Sequence, residues 1–220
     1  MAAPQVTPIN EQWHAWGFLV WDPSDGIVTR DTITIASGAG IVTAGTVMGQ
    51  ISVGAGAAAA LGTNTGNGTF GAITVGSPAI AGVYQVTFEA ATDFTVEDPN
   101  GHEVGHGVTG TAFSAGGLGF TITAGGTAFA PGDSFNLTVA AGSGKWVPYD
   151  PTGADGREVA GAILGSGYKD ATSADKPAGA LVRGPARVNS GELVWGVNVT
   201  TGAQKTAALA SLKALGIQAT

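Results

Sequence analysis

The chain has no cysteine, which excludes disulfides, a thiolate nucleophile and any Cys-ligated zinc or iron–sulfur site. It is also short of charge. Only 11% of its 220 residues are Asp, Glu, Lys or Arg, and 9 basic against 16 acidic residues leave a net charge of −7. That balance speaks against general nucleic-acid binding, which needs Lys and Arg to neutralise phosphates. No apolar run reaches the ~18 residues of a membrane span, and the opening MAAPQVTPINEQWHAW lacks the basic patch and apolar stretch of a secretory signal. The expectation is a protein made in and kept soluble in a cytosol, with no membrane partner.

Glycine is abundant. At 37 residues it exceeds twice its usual share of ~7%, which marks a chain with many turns. The apolar fraction of 44% is enough for a sizeable core in one large or two small domains. Large rings crowd the first tenth: Trp13, Trp16, Phe18 and Trp21. From Thr32 the chain alternates as a strand, and Gly45–Ile51 reads as another. Residues 54–68, nearly all Ala, Gly, Asn and Thr, read as a linker with at most one helical turn at Ala57–Leu61.

Between about Thr69 and Val139 the period is two. Tyr84, Val86 and Phe88 share one face, as do Phe135, Leu137 and Val139. Turn residues such as Asp98-Pro99-Asn100-Gly101 punctuate this stretch, predicting six or seven short strands in a small antiparallel β-sandwich. After Gly142 the pattern changes again, with strand-like segments at Val159–Leu164 and Ala180–Arg183. One helix closes the chain. Thr201 and Gln204 form a capping box, Ala208, Leu209, Leu212 and Leu215 an apolar stripe, and Gly216 a left-handed cap.

Several motifs resemble catalytic signatures. His102-Glu103-Val104-Gly105-His106 spells the zinc-protease H-E-x-x-H, whose chemistry needs both histidines one helical turn apart. Here it follows a turn and contains glycine, and in a strand the two histidines would lie ~13 Å apart, too far to share one ion. Gly66–Gly71 spells G-x-G-x-x-G without the strand before it or the helix after it that would hold a pyrophosphate. Gly144-Lys145 lacks the Ser or Thr of a P-loop, and the Asp150–Asp155 loop is ordinary turn chemistry as well as a formal calcium candidate. No catalytic residues, cofactor or metal are therefore assigned.

The aromatic arm remains. Ordering about 20 residues costs on the order of 20–40 kcal/mol of backbone entropy, whereas four buried rings return roughly 4–6 kcal/mol each. The arm is therefore expected to order only where a partner also pairs its backbone, with Trp13 and Trp16 as docking rings and Phe18 and Trp21 equally readable as core.

The outer parts of the chain resemble the phage head decoration proteins of the lambda D family. The resemblance is carried by Arg30–Ile35, Ala44–Gly49, Val147-Pro148-Tyr149-Asp150-Pro151, Ala154-Asp155-Gly156, Gly161–Leu164, Val182-Arg183-Gly184-Pro185-Ala186, Leu193-Val194-Trp195 and the terminal helix closing on Leu215-Gly216-Ile217. Within these segments Gly45, Thr46, Pro148, Asp150, Pro151, Asp155, Gly156, Arg183, Gly184, Pro185 and Trp195 are the motif positions. The resemblance implies a structural virion protein, not an enzyme, on the outer capsid surface. It would bind the major capsid protein as homotrimers at threefold and quasi-threefold sites and stabilise the head against DNA pressure.

The implied fold is mainly β with an α+β base: a small β-rich decoration domain with one C-terminal helix, interrupted by an antiparallel sandwich. The expected parts are a capsid-binding arm at 1–21 (Trp13, Trp16, Phe18, Trp21), a decoration domain at 22–51 plus 145–220 and, as a departure from the family pattern read from its period of two, an inserted Ig-like domain at 52–144. The insert replaces the tip of a hairpin joining Gln50-Ile51 to Lys145-Trp146. Two other readings stay open: a surface adhesion module whose insert takes a host-surface or glycan ligand, and a zinc protease acting through His102, Glu103 and His106.

Overall fold

The computed structural model describes residues 14–23 and 27–220. The chain is mainly β with one helix near its C-terminus. Four strands come first: β1 (Leu19–Trp21), β2 (Arg30–Ile35), β3 (Gly40–Thr43) and β4 (Val47–Gln50). A middle group follows: β5 (Val53–Ala60), β6 (Thr69–Phe70), β7 (Thr74–Val75), β8 (Gly82–Phe88), β9 (Asp93–Glu97), β10 (Glu103–Val108), β11 (Ala112–Ala115), β12 (Leu118–Thr123) and β13 (Ser134–Ala141). The chain then returns through β14 (Trp146–Pro148), β15 (Ala160–Leu164), β16 (Tyr168–Ala171), β17 (Lys176–Leu181), β18 (Ala186–Val188), helix α1 (Gly202–Ala214) and β19 (Ile217–Ala219).

The outer strands build a closed barrel in the order β14-β2-β17-β15-β4. β15 is covered on both faces, which is why Ala160–Leu164 reads as a continuous apolar run, whereas β2 alternates, with Thr32 and Thr34 exposed and Ile33 and Ile35 buried. Ile163 and Leu181 point into a core shared with α1, whereas Leu164, Ala178 and Ala180 point into a second core with Ile35 and Met48. The β3–β16 ribbon closes that second core with Val42 and Ala171.

Against the first core lies a sheet in the order β1-β18-β19. β18 and β19 run parallel, as a crossover through a helix requires. Helix α1 starts on Thr201, whose hydroxyl accepts from Gln204 N while the Gln204 side chain reaches back, completing the capping box. Ala208 and Leu212 are buried, but Leu215 is 41% exposed. It is the C-cap residue, past the last turn that faces the core.

The middle strands form two further sheets, one in the order β10-β9-β8-β13-β5, the other β11-β12-β6 with β7 beside β12. Between them lies a separate core into which Tyr84, Val86, Phe88, Phe135, Leu137 and Val139 all point. Of the chain's 8 phenylalanines, all but Phe18 are in or against this core. β5 corrects the first part of the linker expected at 54–68: residues 54–60 are no linker or helical turn but a strand paired along β13, Ala57 to Thr138 and Ala60 to Phe135, while residues 61–68 are turn and irregular chain as expected. Alanine's helix preference yields to cross-strand pairing, which sets strand formation more strongly than intrinsic propensity does. The six or seven strands expected between about Thr69 and Val139 are also too few, because β6 and β7 are two-residue pieces with no readable period.

β4 and β14 pair antiparallel, Gln50 opposite Trp146 and Met48 opposite Pro148. The middle group therefore sits between two adjacent, hydrogen-bonded strands of the barrel.

Candidate functional site

The described part of the arm is built into the protein's own fold. Trp16 takes a left-handed backbone, φ 63°, held by its N–H donating to Gly165 O at 2.9 Å. Its indole lies on Gly165 and Gly179, and a Cβ at Gly165 would collide with the ring. The Arg30 guanidinium covers the ring at 4.2 Å from its centroid. Phe18 is 2% exposed, and strand β1 pairs with β18, Leu19 opposite Val188 and Trp21 opposite Arg187.

This corrects the expectation that the arm through residue 21 orders only on a partner. The backbone pairing that the entropy argument demanded comes from β18 of the same chain. Trp13 lies outside the described residues.

Exposed apolar groups collect where the arm enters. Trp21 is 51% exposed, Ile27 83% and Val28 54%. Charged hydrogen bonds tie down the residues beneath them. Asp22 accepts from Thr29 Oγ1 at 2.8 Å and from Arg30 Nε at 3.0 Å. Arg183 donates through Nε to Val28 O at 2.7 Å and reaches Asp31 Oδ2 at 3.3 Å. Gly184 N donates to Leu215 O at 2.7 Å, and the two backbones approach so closely that a Cβ on Gly184 would overlap Gly216 O. The exposed groups at the root of the arm thus include the cross-strand partners Trp21 and Arg187, the bonded pair Val28 and Arg183, and Leu215 beside Gly184.

Most of the other motif positions are turns and packing points. Gly45 has φ 84° and leaves no room for a Cβ beside Glu192 O. Thr46 is buried and donates to Thr43 O at 2.7 Å. Pro148 ends the ladder with β4, and Pro151 is half-buried in the turn after Asp150. Burial opposes the charge on Asp150, but bonds from Thr152 and Asn198 and the nearby Arg157 outweigh it and hold its carboxyl below the usual value. The Arg157 side chain, donating to both oxygens of Asp155 at 2.8 and 2.7 Å, likewise lowers Asp155. Burial, with Asp150 close by, pushes the Tyr149 hydroxyl up. Gly156, at φ 104°, fits against Ser52 and Gln50. Pro185 is exposed, and Trp195 is half-buried against the core beside α1 with Lys205 Nζ 5.7 Å from its ring.

The H-E-x-x-H residues do not lie on a helix. His102 precedes β10 and pairs with Asp98 at 3.4 Å, while Glu103 and His106 on β10 pair with each other at 2.9 Å. Among the described residues no three His, Asp or Glu side chains are grouped to hold a metal ion.

The family model of bacteriophage lambda head decoration protein D matches residues 8–217. The chain belongs to that family. Lambda D relatives are structural, so the chain's role is to decorate the phage capsid, and its place is the virion.

No curated protein matches the chain. Among solved structures, two crystal forms of Xanthomonas campestris FlgL show 27% and 28% identity over 44% and 46% of this chain, at a TM-score of 0.33. The flagellar hook junction protein FlgK from Burkholderia pseudomallei shows 22% identity over 58% of it, also at 0.33. The matches span 33%, 33% and 23% of those longer chains. Likeness at that level carries no argument.

Sequence reasoning singled out the ring cluster but missed the cations beside it. Arg187 gave no signal, because it becomes part of the surface only when β18 pairs with Trp21. Arg183 was visible as a motif residue, yet its bond to Val28 is not encoded in any spacing.

Proposed function

We propose that the chain binds the outside of the expanded head as homotrimers at threefold and quasi-threefold sites, gripping the major capsid protein and stiffening the shell against DNA pressure. The arm's first 13 residues, with Trp13, and the exposed root residues Trp21, Val28, Arg183, Arg187 and Leu215 make the shell contact, while Trp16 and Phe18 anchor the arm to the body. Residues 22–51 and 145–220 act as the decoration domain, and residues 52–144 as an inserted Ig-like domain that faces away from the shell. Several weak contacts per trimer acting together give slow release.

The observation that carries this reading is the apolar and basic arm root in a chain of the lambda D family. Charge supports the orientation. All 9 Lys and Arg lie outside residues 52–144, whereas that stretch holds Glu89, Asp93, Glu97, Asp98, Glu103 and Asp133. An outer layer with acids and no Lys or Arg keeps decorated heads apart and repels polyanions. The glycan-binding alternative loses support because the rings of residues 52–144 are turned into their own core, leaving no exposed aromatic platform.

Image reconstruction of heads incubated with the protein tests the reading. Three copies of density around each threefold point, with the arm root against the shell, is the expected result. Density centred elsewhere, or the sandwich against the shell, would overturn it.

A further inference from the structure

We infer that the turn Asp155–Glu158 is a clasp that fixes residues 53–141 at one angle to the barrel, with Glu158 as the positioning residue. The inference rests on reading residues 52–144 as an inserted domain.

Two connections lead into that domain. They are tied to each other, Gly142 N donating to Ser52 O at 3.0 Å and Gly144 N to Ile51 O at 2.9 Å. On their own they form a two-stranded hinge, free to tilt. The turn removes that freedom at two points.

First, the Asp155 carbonyl accepts from Ser52 N at 2.8 Å and Val53 N at 3.2 Å. The turn that presents it is shaped by the Asp155–Arg157 pair and by Gly156, whose φ of 104° and crowding against Ser52 suit no side chain. Second, the Glu158 carboxylate divides its oxygens. Oε2 accepts from Gly156 N within the turn and Oε1 accepts from Ser77 N in the loop after β7, each at 2.8 Å.

One side chain therefore spans the two parts at a point 81 residues distant in sequence. A carboxylate can do this because both its oxygens accept; a glutamine offers one acceptor and turns an NH₂ donor toward the other N–H. Beside the clasp lies an open cleft of about 590 Å³ lined by Gly54, Ile73, Val75, Gly153, Ala154 and Arg157. It is the space into which the sandwich tilts when the clasp is released. With the clasp closed, each copy presents the same face at the same angle, as a rigid extension and not a tethered bead.

The absence of cysteine makes the test direct. Nitroxide labels on Thr138→Cys in β13 and Ala174→Cys before β17, in the full chain, report the angle as a distance distribution by pulsed electron resonance. The expected result is one narrow distribution, at least doubled in width by Glu158→Ala and intermediate in Glu158→Gln. Ser77→Pro, which removes the donor from the sandwich side, should match Glu158→Ala. Unchanged widths in all three variants, with the fold intact by circular dichroism, would overturn the clasp. Failure of the inserted-domain reading shows separately, as failure of residues 52–144 to fold when expressed alone.

Discussion

Phe18 marks the boundary between arm and body more sharply than any neighbouring residue. It is 2% exposed in the core that also holds Val188, Leu212 and Ile217. Phe18→Ala should lower stability by about 3–5 kcal/mol, read as a fall in the urea midpoint; a change below about 1 kcal/mol would mean that β1 is not part of the fold. Trp21→Ala, half exposed on the same strand, should leave the midpoint nearly unchanged and weaken head binding instead.

The carboxylates make a second prediction at this scale. Asp150 and Asp155 are held below their ordinary values in the folded state. Their stabilisation is fully present above the unfolded value of about 4 and is lost as pH falls through the lower folded values. Both are partly solvated, so each effect is small. The urea midpoint should fall below about pH 4, and Asp155→Asn should flatten that fall. An equally steep acid limb in the variant would contradict the assignment.

At the scale of elements, legibility followed the strength of the local signal. Helix α1 could be read from Thr201, Gln204 and Gly216 because capping is chemistry within one turn. Strands β8 and β13 could be read because large and polar residues alternate. β5 could not, since Gly and Ala carry no difference between faces. The helix stripe was read one residue too far, because Leu215 lies where the turn ends. What covers Phe18 and Trp16 has no signature in the sequence; only the distant Gly165, Gly179 and β18 show it.

The register of β5 is itself testable. Leu61 N donates to Ser134 O, and alternation along an antiparallel pair then turns the N–H of Ala57 toward β13 and that of Ala58 toward solvent. Ala57→Pro should therefore lower the melting temperature far more than Ala58→Pro. Equal effects would place β5 in another register.

At the scale of the whole molecule, the family was legible in the order and spacing of the outer motifs, which are turns and close backbone contacts. These tolerate little change, as Gly45 against Glu192 and Gly184 against Gly216 show. The surface that meets a partner was less legible, since Arg183, Arg187 and Val28 come together only through folding. Residues 53–141 have a core of their own and leave the barrel between paired strands, so joining Ile51 to Lys145 should give a folded barrel part. The expected outcome is a cooperative melt of that shortened chain.

Co-sedimentation with expanded, undecorated heads of its own phage tests the central claim most directly, comparing the full chain, a chain starting at His14, and the chain lacking residues 52–144. A start at His14 is informative because it keeps Phe18 and β1, whereas a start at Asp22 would also damage the core. Saturable binding of the full chain in multiples of three per threefold site is expected, retained without residues 52–144 and weakened without residues 1–13. Absence of binding by the full chain, or binding that disappears only with residues 52–144, would contradict the claim.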